Sequence, residues 1–235
     1  MIPLADNKGV AVFDLVIFDC DGVLIDSEII SARMLIRELG RLGVQIDLDY
    51  VARNFLGRSY PTVMAQIRHE FGLDLPAEFE DQYRERLLDE FRRSLSVMPG
   101  APEALDDLAV PFCVATSSSP RRADMSLSLT GLRDRVGDRL FTASQVERGK
   151  PAPDLFLFAA ACMGASPART LVIEDSRTGL SAAIAAGMEV WHFTGGSHFA
   201  GRAPTSEDPD HARPNRTFDA FADFFQTAPA LRRPR

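Results

Sequence analysis

Residues 13–27 read FDLVIFDCDGVLIDS and contain the most informative pattern of the chain. The apolar run from Phe13 to Phe18 predicts a buried strand, and the polar residues after it place Asp19 and Asp21 at its carboxyl end. In an open α/β sheet, ligands bind at this end of the strands. Side chains two positions apart lean to the same side, so the two carboxylates would share one small space and repel each other. Such a pair favours a catalytic role, although an acidic turn after a strand would use the same residues.

The composition limits the class of protein. The chain has 235 residues, 46% of them hydrophobic, which suffices for one large domain or for a core with an insert. A net charge of -7 argues against nucleic acid as a partner, because its phosphates require a basic surface. Three scattered cysteines suit a reducing compartment, and no apolar run approaches the about 20 residues of a membrane span. Residues 1–10 lack the pattern of a secretory signal. We therefore expect a cytoplasmic protein, a monomer or homodimer, with neither nucleic acid nor membrane as a partner.

The order of the elements indicates the fold class. Residues 28–97 carry apolar residues at helical spacing, with a break at Phe55 to Gly57. Beyond them, helices alternate with strands, which predicts an α/β fold with a doubly wound parallel sheet. The expected strands after the first are Phe112–Ala115, Arg139–Thr142, Thr170–Ile173 and Glu189–Phe193. We therefore expect a core domain from residues 1–27 and 98–235, and an inserted α-helical domain from residues 28–97.

The tail of the chain carries one further element. Phe218, Phe221, Phe224 and Phe225 predict a last short amphipathic helix that packs on the core.

Polar clusters also follow the later strands. Thr116 and Ser117 end the second strand before a helix start, which is an arrangement that binds anions but also one that caps helices. Lys150 lies in a proline-rich turn, and Glu174 and Asp175 end the fourth strand, where acids also favour the start of a helix. Because these strand ends meet at one edge of the sheet, four acids would surround one hydroxyl and one ammonium. This set fits a hard cation, and Mg²⁺ is expected.

Lys150 is informative for a second reason. Of the 26 basic residues 24 are arginine, and Lys8 is the other lysine. An ammonium is a compact point charge whereas a guanidinium is a wide planar fork, so Lys150 indicates a position at which arginine does not serve.

In order and spacing, these clusters resemble the four motifs of the haloacid dehalogenase superfamily. The helical insert after the first motif resembles the C1 cap of its beta-phosphoglucomutase-like and phosphoglycolate phosphatase-like branch. The resemblance implies a Rossmann-like core and a nucleophile, Asp19, that forms an aspartyl-phosphate. It also implies that Asp21, neutral at the start, protonates the leaving oxygen and then takes a proton from water.

The resemblance implies binding roles as well. Thr116, the N–H of Ser117 and Lys150 would hold the phosphoryl group. The expected Mg²⁺ ligands are the Asp19 and Asp175 side chains and the backbone carbonyl of Asp21, with Glu174 binding directly or through water. Arg58, in the break of the helical region, would contact a substrate hydroxyl or a second anion, although a solvated arginine would look the same in sequence.

The expected activity is that of a Mg²⁺-dependent phosphatase of a small phosphorylated metabolite, a sugar or polyol phosphate. Asp21 argues against a dehalogenase, which lacks the second acid, and the absence of lysine from residues 28–98 argues against a phosphonatase. The alternative is a beta-phosphoglucomutase-like mutase, but Ser31 stands where the mutase has a histidine. A non-catalytic binding protein is a third possibility that the complete motifs disfavour. His69, His192, His198 and His211 lack metal-ligand spacing.

Overall fold

The computed structural model of the protein describes residues 13–75, 78–200 and 213–234. Within these ranges, six parallel strands form one sheet in the order β3-β2-β1-β4-β5-β6. The strands are β1 (Leu15–Phe18), β2 (Phe112–Thr116), β3 (Leu140–Thr142), β4 (Thr170–Glu174), β5 (Glu189–Phe193) and β6 (Arg216–Phe218). The predicted doubly wound parallel sheet is confirmed, and β1 lies at its centre, where the strand order reverses direction.

Helices cover both faces of the sheet and form a separate group after β1. The α-helices of the described ranges are α1 (Glu28–Arg41), α2 (Leu48–Asn54), α3 (Tyr60–Phe71), α4 (Phe79–Ser94), α5 (Ala101–Asp107), α6 (Pro120–Leu129), α7 (Arg133–Val136), α8 (Asp154–Cys162), α9 (Arg177–Ala185) and α10 (Phe221–Thr227). All four residues of β1 are buried, as expected of a strand covered on both faces. Side chains of α5, α6 and α10 pack on one face of the sheet, and those of α8 and α9 pack on the other.

The helices α1 to α4 lie between β1 and β2 in the chain and have a hydrophobic cluster of their own. Its most buried members include Leu39, Met64, Ile67 and Phe91. This separate cluster supports the proposed division into a helical domain of residues 28–97 and a core domain of residues 1–27 and 98–235.

The two connections to this helical insert run side by side. Ile25 forms an antiparallel bridge with Val97, and the backbone N–H of Asp26 donates to the carbonyl oxygen of Ser96 at 3.0 Å. The insert therefore leaves and rejoins the core at one place.

The tail differs from the expectation. Phe218 belongs to β6, whose register places it beside Phe193, and not to the last helix, which begins at Phe221. Two of the three residues of β6, Arg216 and Thr217, are exposed, so this edge strand has no apolar alternation that would reveal it in the sequence. Phe221, Phe224 and Phe225 form the buried face of α10 as predicted.

None of the helices in the described ranges is both long enough and apolar enough to cross a membrane. Residues 1–10, which include Lys8, and His211 lie outside the described residues.

Candidate active site

The sheet brings the predicted site residues to one edge. Asp19 directly follows β1, whereas Thr116 and Glu174 are the last residues of the neighbouring strands β2 and β4. Parallel pairing aligns Phe18 with Val114 and Ile173, so the three carboxyl ends lie side by side. The following predicted site residues are buried there: Asp19, Asp21, Thr116, Lys150, Glu174 and Asp175.

Lys150 reaches this edge from the loop before α8 and bonds three oxygen atoms. Its Nζ donates to Oδ1 of Asp19 at 2.5 Å, to Oε1 of Glu174 at 2.6 Å and to the carbonyl oxygen of Ala115 at 3.0 Å. Burial lowers the pKa of Lys150, but the attraction of Asp19 and Glu174 outweighs it and raises that pKa overall. The side chain is therefore a fixed positive charge beside the Asp19 carboxylate.

Asp19 and Asp175 are carboxylates in a crowded acidic space. Burial raises the pKa of each well above its usual range, and the neighbouring carboxylates, Glu174 above all for Asp175, raise it further. Lys150 opposes this rise in both cases. Oδ2 of Asp175 accepts no hydrogen bond from the described residues, although Nε2 of His198 lies 3.1 Å from it. A cation between the two carboxylates would relieve their repulsion.

Asp21 has the opposite environment. Oδ1 of Asp21 accepts from the Ser27 hydroxyl at 2.6 Å and from Nη2 of Arg122 at 2.7 Å. Oδ2 accepts from the hydroxyls of Ser118 at 2.6 Å and of Thr116 at 3.3 Å. Burial raises the pKa of Asp21, but Arg122 and the serine hydrogen bonds outweigh it and lower the pKa. The family resemblance implies a neutral Asp21 beside an ionised Asp19. These surroundings favour the reverse, an ionised Asp21 beside a protonated Asp19.

Glu174 uses both of its oxygens within the protein. Oε1 contacts Lys150, and Oε2 accepts from the backbone N–H of Ser176 at 2.8 Å and from its hydroxyl at 3.0 Å. Gly179 permits this close approach, because a Cβ there would overlap the Glu174 carboxylate. Glu174 is therefore arranged to hold Lys150 and the start of α9, which favours an indirect role toward a metal.

The donor chemistry of the site fits Mg²⁺. Among the described residues, no three His, Cys, Asp or Glu side chains are grouped so as to hold a metal. Mg²⁺ does not need such a group, because it typically binds one or two carboxylates and completes its shell with waters and substrate phosphate oxygens. Oδ2 of Asp175, buried without a hydrogen-bond donor from the described residues, and the nearby Asp19 are such carboxylates. Gly22 leaves room for the Asp175 carboxylate, since a Cβ at this position would overlap it.

The residues at and after the end of β2 show which of them cap α6 and which face the site, a question that the sequence left open. Ser119 caps α6, because its hydroxyl accepts the backbone N–H of Arg122 at 3.4 Å. The Thr116 hydroxyl accepts the backbone N–H of Ser118 at 3.1 Å, and the Ser117 hydroxyl donates to the carbonyl oxygen of Gly57 at 3.0 Å. Ser119 is thus the residue that caps the helix, whereas Thr116 bonds Asp21 and Ser117 contacts the insert at Gly57.

A cavity of about 780 Å³ opens onto these residues and is lined by both the core and the helical insert. Asp19, Asp21 and Thr116 line its core side, and the exposed Arg58 lies on the insert side. Glu28, at the start of α1, also lines it, and its pKa is raised to about 8 by burial and by the nearby Asp21 and Asp175. The cavity has room for a metabolite larger than a phosphate ion.

The sequence did not reveal several residues of this site. Arg122 and Ser118 both bond Asp21, and His198 and His192 approach Asp175, whose backbone carbonyl lies 3.0 Å from Nε2 of His192. In the sequence, these residues are marked only by lying within a few residues of the end of a strand. His198 comes from a single 3₁₀ turn at Ser197–Phe199, which no local pattern connects to β4.

Comparison with known proteins identifies the family. A family model described as haloacid dehalogenase-like hydrolase matches residues 13–187. The 6-phosphogluconate phosphatase of Escherichia coli (strain K12) is 30% identical over 186 residues, which cover 79% of this chain and 84% of that protein. The fructose-1-phosphate phosphatase of the same strain is 33% identical over 179 residues, which cover 74% of this chain and 92% of that protein.

A solved structure agrees with these matches. The crystal structure of a conserved haloacid dehalogenase-like protein of unknown function from Agrobacterium tumefaciens (strain C58) superposes with a TM-score of 0.78 at 36% identity, covering 93% of this chain and 99% of that chain. The family resemblance of the motifs is thereby confirmed. Because the family model spans most of the chain and both phosphatases are covered over most of their own length, this chain belongs to the haloacid dehalogenase-like hydrolases.

Proposed function

We propose that the protein is a Mg²⁺-dependent phosphatase that hydrolyses a small phosphorylated metabolite, a sugar or polyol phosphate, through an aspartyl-phosphate at Asp19. The observation that carries the proposal is the contact between the Asp19 carboxylate and Nζ of Lys150 at the carboxyl end of β1, with Asp21 and Thr116 beside it. The broader enzyme class, a phosphoric monoester hydrolase, is confirmed by the family match and by the phosphatase relatives.

The first chemical step transfers the phosphoryl group to the protein. A carboxylate oxygen of Asp19 attacks phosphorus, a new O–P bond forms, and the bond between phosphorus and the ester oxygen breaks. Protonated Asp21 gives its proton to the departing alcohol oxygen. Thr116, the N–H of Ser117 and Lys150 hold the phosphoryl oxygens, whose negative charge the fixed ammonium offsets.

The second step returns the enzyme to its starting state. Ionised Asp21 takes a proton from a water molecule as that water attacks phosphorus, and the bond between phosphorus and Asp19 breaks to release inorganic phosphate. The donors around Asp21 favour this ionised form. The surroundings of Asp21 thus support its role as the base more directly than its role as the acid.

The Asp19 and Asp175 side chains and the backbone carbonyl of Asp21 would hold Mg²⁺, with Glu174 acting through water or through Lys150. Bound Mg²⁺ supplies positive charge next to the phosphoryl oxygens and helps to align them. Inner-shell binding by the Asp21 side chain is not supported, because both of its oxygens bond protein donors.

The substrate class rests on the cavity and on the relatives. A space of about 780 Å³ suits a metabolite with several carbon atoms, and the two relatives are named for 6-phosphogluconate and fructose 1-phosphate. Arg58, exposed at the cavity, would contact a hydroxyl or a carboxylate remote from the phosphate. A cytoplasmic location and a monomeric or homodimeric state remain predictions from the sequence.

A phosphate-release screen of the purified protein with Mg²⁺ tests this proposal. The panel contains sugar, sugar-acid, polyol and glycolate phosphates, and the Asp19→Asn variant serves as the control for contaminating phosphatases. Beta-glucose 1-phosphate is included with a glucose 1,6-bisphosphate primer, and both inorganic phosphate and glucose 6-phosphate are followed. We expect phosphate release from at least one ester. Glucose 6-phosphate forming much faster than phosphate would instead establish the mutase alternative.

A further inference from the structure

Arg122 lies outside the four motifs but contacts the proposed acid-base residue. It is the third residue of α6, and its side chain is 22% exposed. Its Nη2 lies 2.7 Å from Oδ1 of Asp21 and 3.3 Å from the hydroxyl of Ser31 in α1. The guanidinium carbon also lies 5.1 Å from the centre of the Phe91 ring in α4. Arg122 therefore joins a carboxylate of the core to two helices of the insert.

The four hydrogen-bond donors to the Asp21 carboxylate differ in what else holds them. Ser27 lies in the chain segment that leads from β1 into the insert. Thr116 is the last residue of β2, and Ser118 follows it by two positions. Arg122 is the donor whose own group also bonds a side chain of the insert, Ser31. A guanidinium has no acceptor atom, and its Nη2 carries two hydrogens in one plane, one for Oδ1 of Asp21 and one for the Ser31 hydroxyl.

On the basis of the function proposed above, we propose that Arg122 is a positioning residue that holds the Asp21 carboxylate oriented for hydrolysis of the aspartyl-phosphate. Ser31 and Phe91 of the insert fix the position of the guanidinium. The guanidinium in turn fixes the carboxylate of Asp21, the proposed base. In this chain the link between the insert and Asp21 therefore runs through an arginine from the core.

The proposal separates the two chemical steps. Transfer of a phosphoryl group from p-nitrophenyl phosphate to Asp19 needs little help from an acid, because p-nitrophenolate leaves readily without a proton. Attack of water on the aspartyl-phosphate still needs the oriented base. Loss of Arg122 should therefore slow the second step selectively and cause the aspartyl-phosphate to accumulate.

The test compares Arg122→Gln with the wild-type protein, using p-nitrophenyl phosphate and Mg²⁺. For Arg122→Gln we expect kcat to fall by about 10²-fold, the lower end of the range for a positioned base. We expect kcat/KM to stay within a factor of about three, since it reports the first irreversible step, so KM falls together with kcat. Rapid mixing should show a burst of p-nitrophenolate, and acid quenching should trap the phosphorylated protein.

Two further variants distinguish positioning from a structural role. Arg122→Lys keeps the charge but lacks the planar group that faces Phe91 and reaches Ser31, so its kcat should lie between those of Arg122→Gln and the wild type. Arg121, the neighbour in α6, bonds Glu85 of α4 instead of Asp21. Arg121→Gln should therefore keep the wild-type KM and show no burst of p-nitrophenolate. Thermal melting curves establish that each variant is folded.

Three results would overturn the proposal. The first is that kcat and kcat/KM of folded Arg122→Gln fall equally and no burst is seen. The second is that Arg122→Gln has wild-type kinetics. The third is that Arg121→Gln also shows a burst. The wild-type turnover of p-nitrophenyl phosphate tests the proposed function itself. The two ideas can therefore fail separately.

Discussion

Nζ of Lys150 lies 2.5 Å from Oδ1 of Asp19, in direct contact with the carboxylate that we propose as the nucleophile. The Lys150 side chain is 1% exposed and is surrounded by oxygen acceptors, including Oε1 of Glu174 at 2.6 Å. This geometry explains why the described core of an arginine-rich chain holds a lysine here, because a planar guanidinium is too wide for the same space.

Replacement of Lys150 by arginine keeps the charge and tests this fit. We expect Lys150→Arg to lower kcat by at least about 10²-fold, since the larger group displaces Asp19 from its position beside the phosphoryl group. The melting temperature should also fall, because extra volume in a packed site strains its neighbours. Steady-state kinetics and thermal melting measure both effects. A Lys150→Arg protein with wild-type kcat would contradict the tight fit.

Asp19→Asn should remove turnover without unfolding the protein. An amide cannot form the aspartyl-phosphate, so we expect kcat to fall by at least about 10³-fold. Burial and neighbouring acids raise the pKa of Asp19, which means that its charged form is disfavoured in this site and that a neutral group should be tolerated. Phosphate release and circular dichroism check these expectations. Residual activity of more than a few per cent would disprove covalent catalysis by Asp19.

Removal of the metal should abolish activity reversibly. EDTA takes away the cation that offsets the charges of Asp19, Asp175 and the substrate, and added Mg²⁺ should restore the rate. Ca²⁺ should inhibit, because its larger, looser coordination shell allows a carboxylate to chelate the ion instead of attacking phosphorus. The rate is measured after dialysis against EDTA and addition of each ion. Full activity with Ca²⁺ alone would overturn the proposed ligands.

Gly57 is expected to control how the insert meets the core. Its φ is 72°, and a Cβ there would overlap the side chains of Ser176 and Thr178. Gly57→Ala should therefore push the loop away from the core and lower kcat/KM by about tenfold or more, because a small displacement near the chemistry is costly. Kinetics with the best substrate of the screen measure this effect.

Gly72 provides the matched control for that variant. It also has a positive φ, 61°, but a Cβ there meets no atom within 4 Å. Gly72→Ala should cost about 1 kcal/mol of stability through backbone strain and leave kcat/KM unchanged. Equal kinetic losses in both variants would indicate strain alone and not a contact with the core.

The sequence predicted the central part of the fold because its strands are short apolar runs that end in polar clusters. The apolar residues before Asp19 predict β1, and those before Glu174 predict β4. Parallel pairing of the two strands brings their carboxyl ends together. β6 could not be found in this way, since Arg216 and Thr217 are exposed and its pairing with β5 arises only in the tertiary structure.

The site was less predictable wherever a partner is distant in the chain. Arg122 lies 101 residues from Asp21, and Ser118 lies 97 residues from it, so neither contact leaves a local pattern. The same donors explain why the expected protonation of Asp21 differs from the one that the structure favours. A charge state depends on all neighbours in space, and a motif contains only the neighbours in sequence.

The paired connections at Ile25 and Val97 have an evolutionary consequence. Neighbouring strands lie about 4.8 Å apart, so residues 26–96, between the paired Ile25 and Val97, form an enlarged turn between two adjacent points of the core. The entropic cost of such a turn grows only slowly with its length. Lineages can therefore lengthen or shorten this segment, and with it one wall of the cavity, at little cost to the pairing of the sheet.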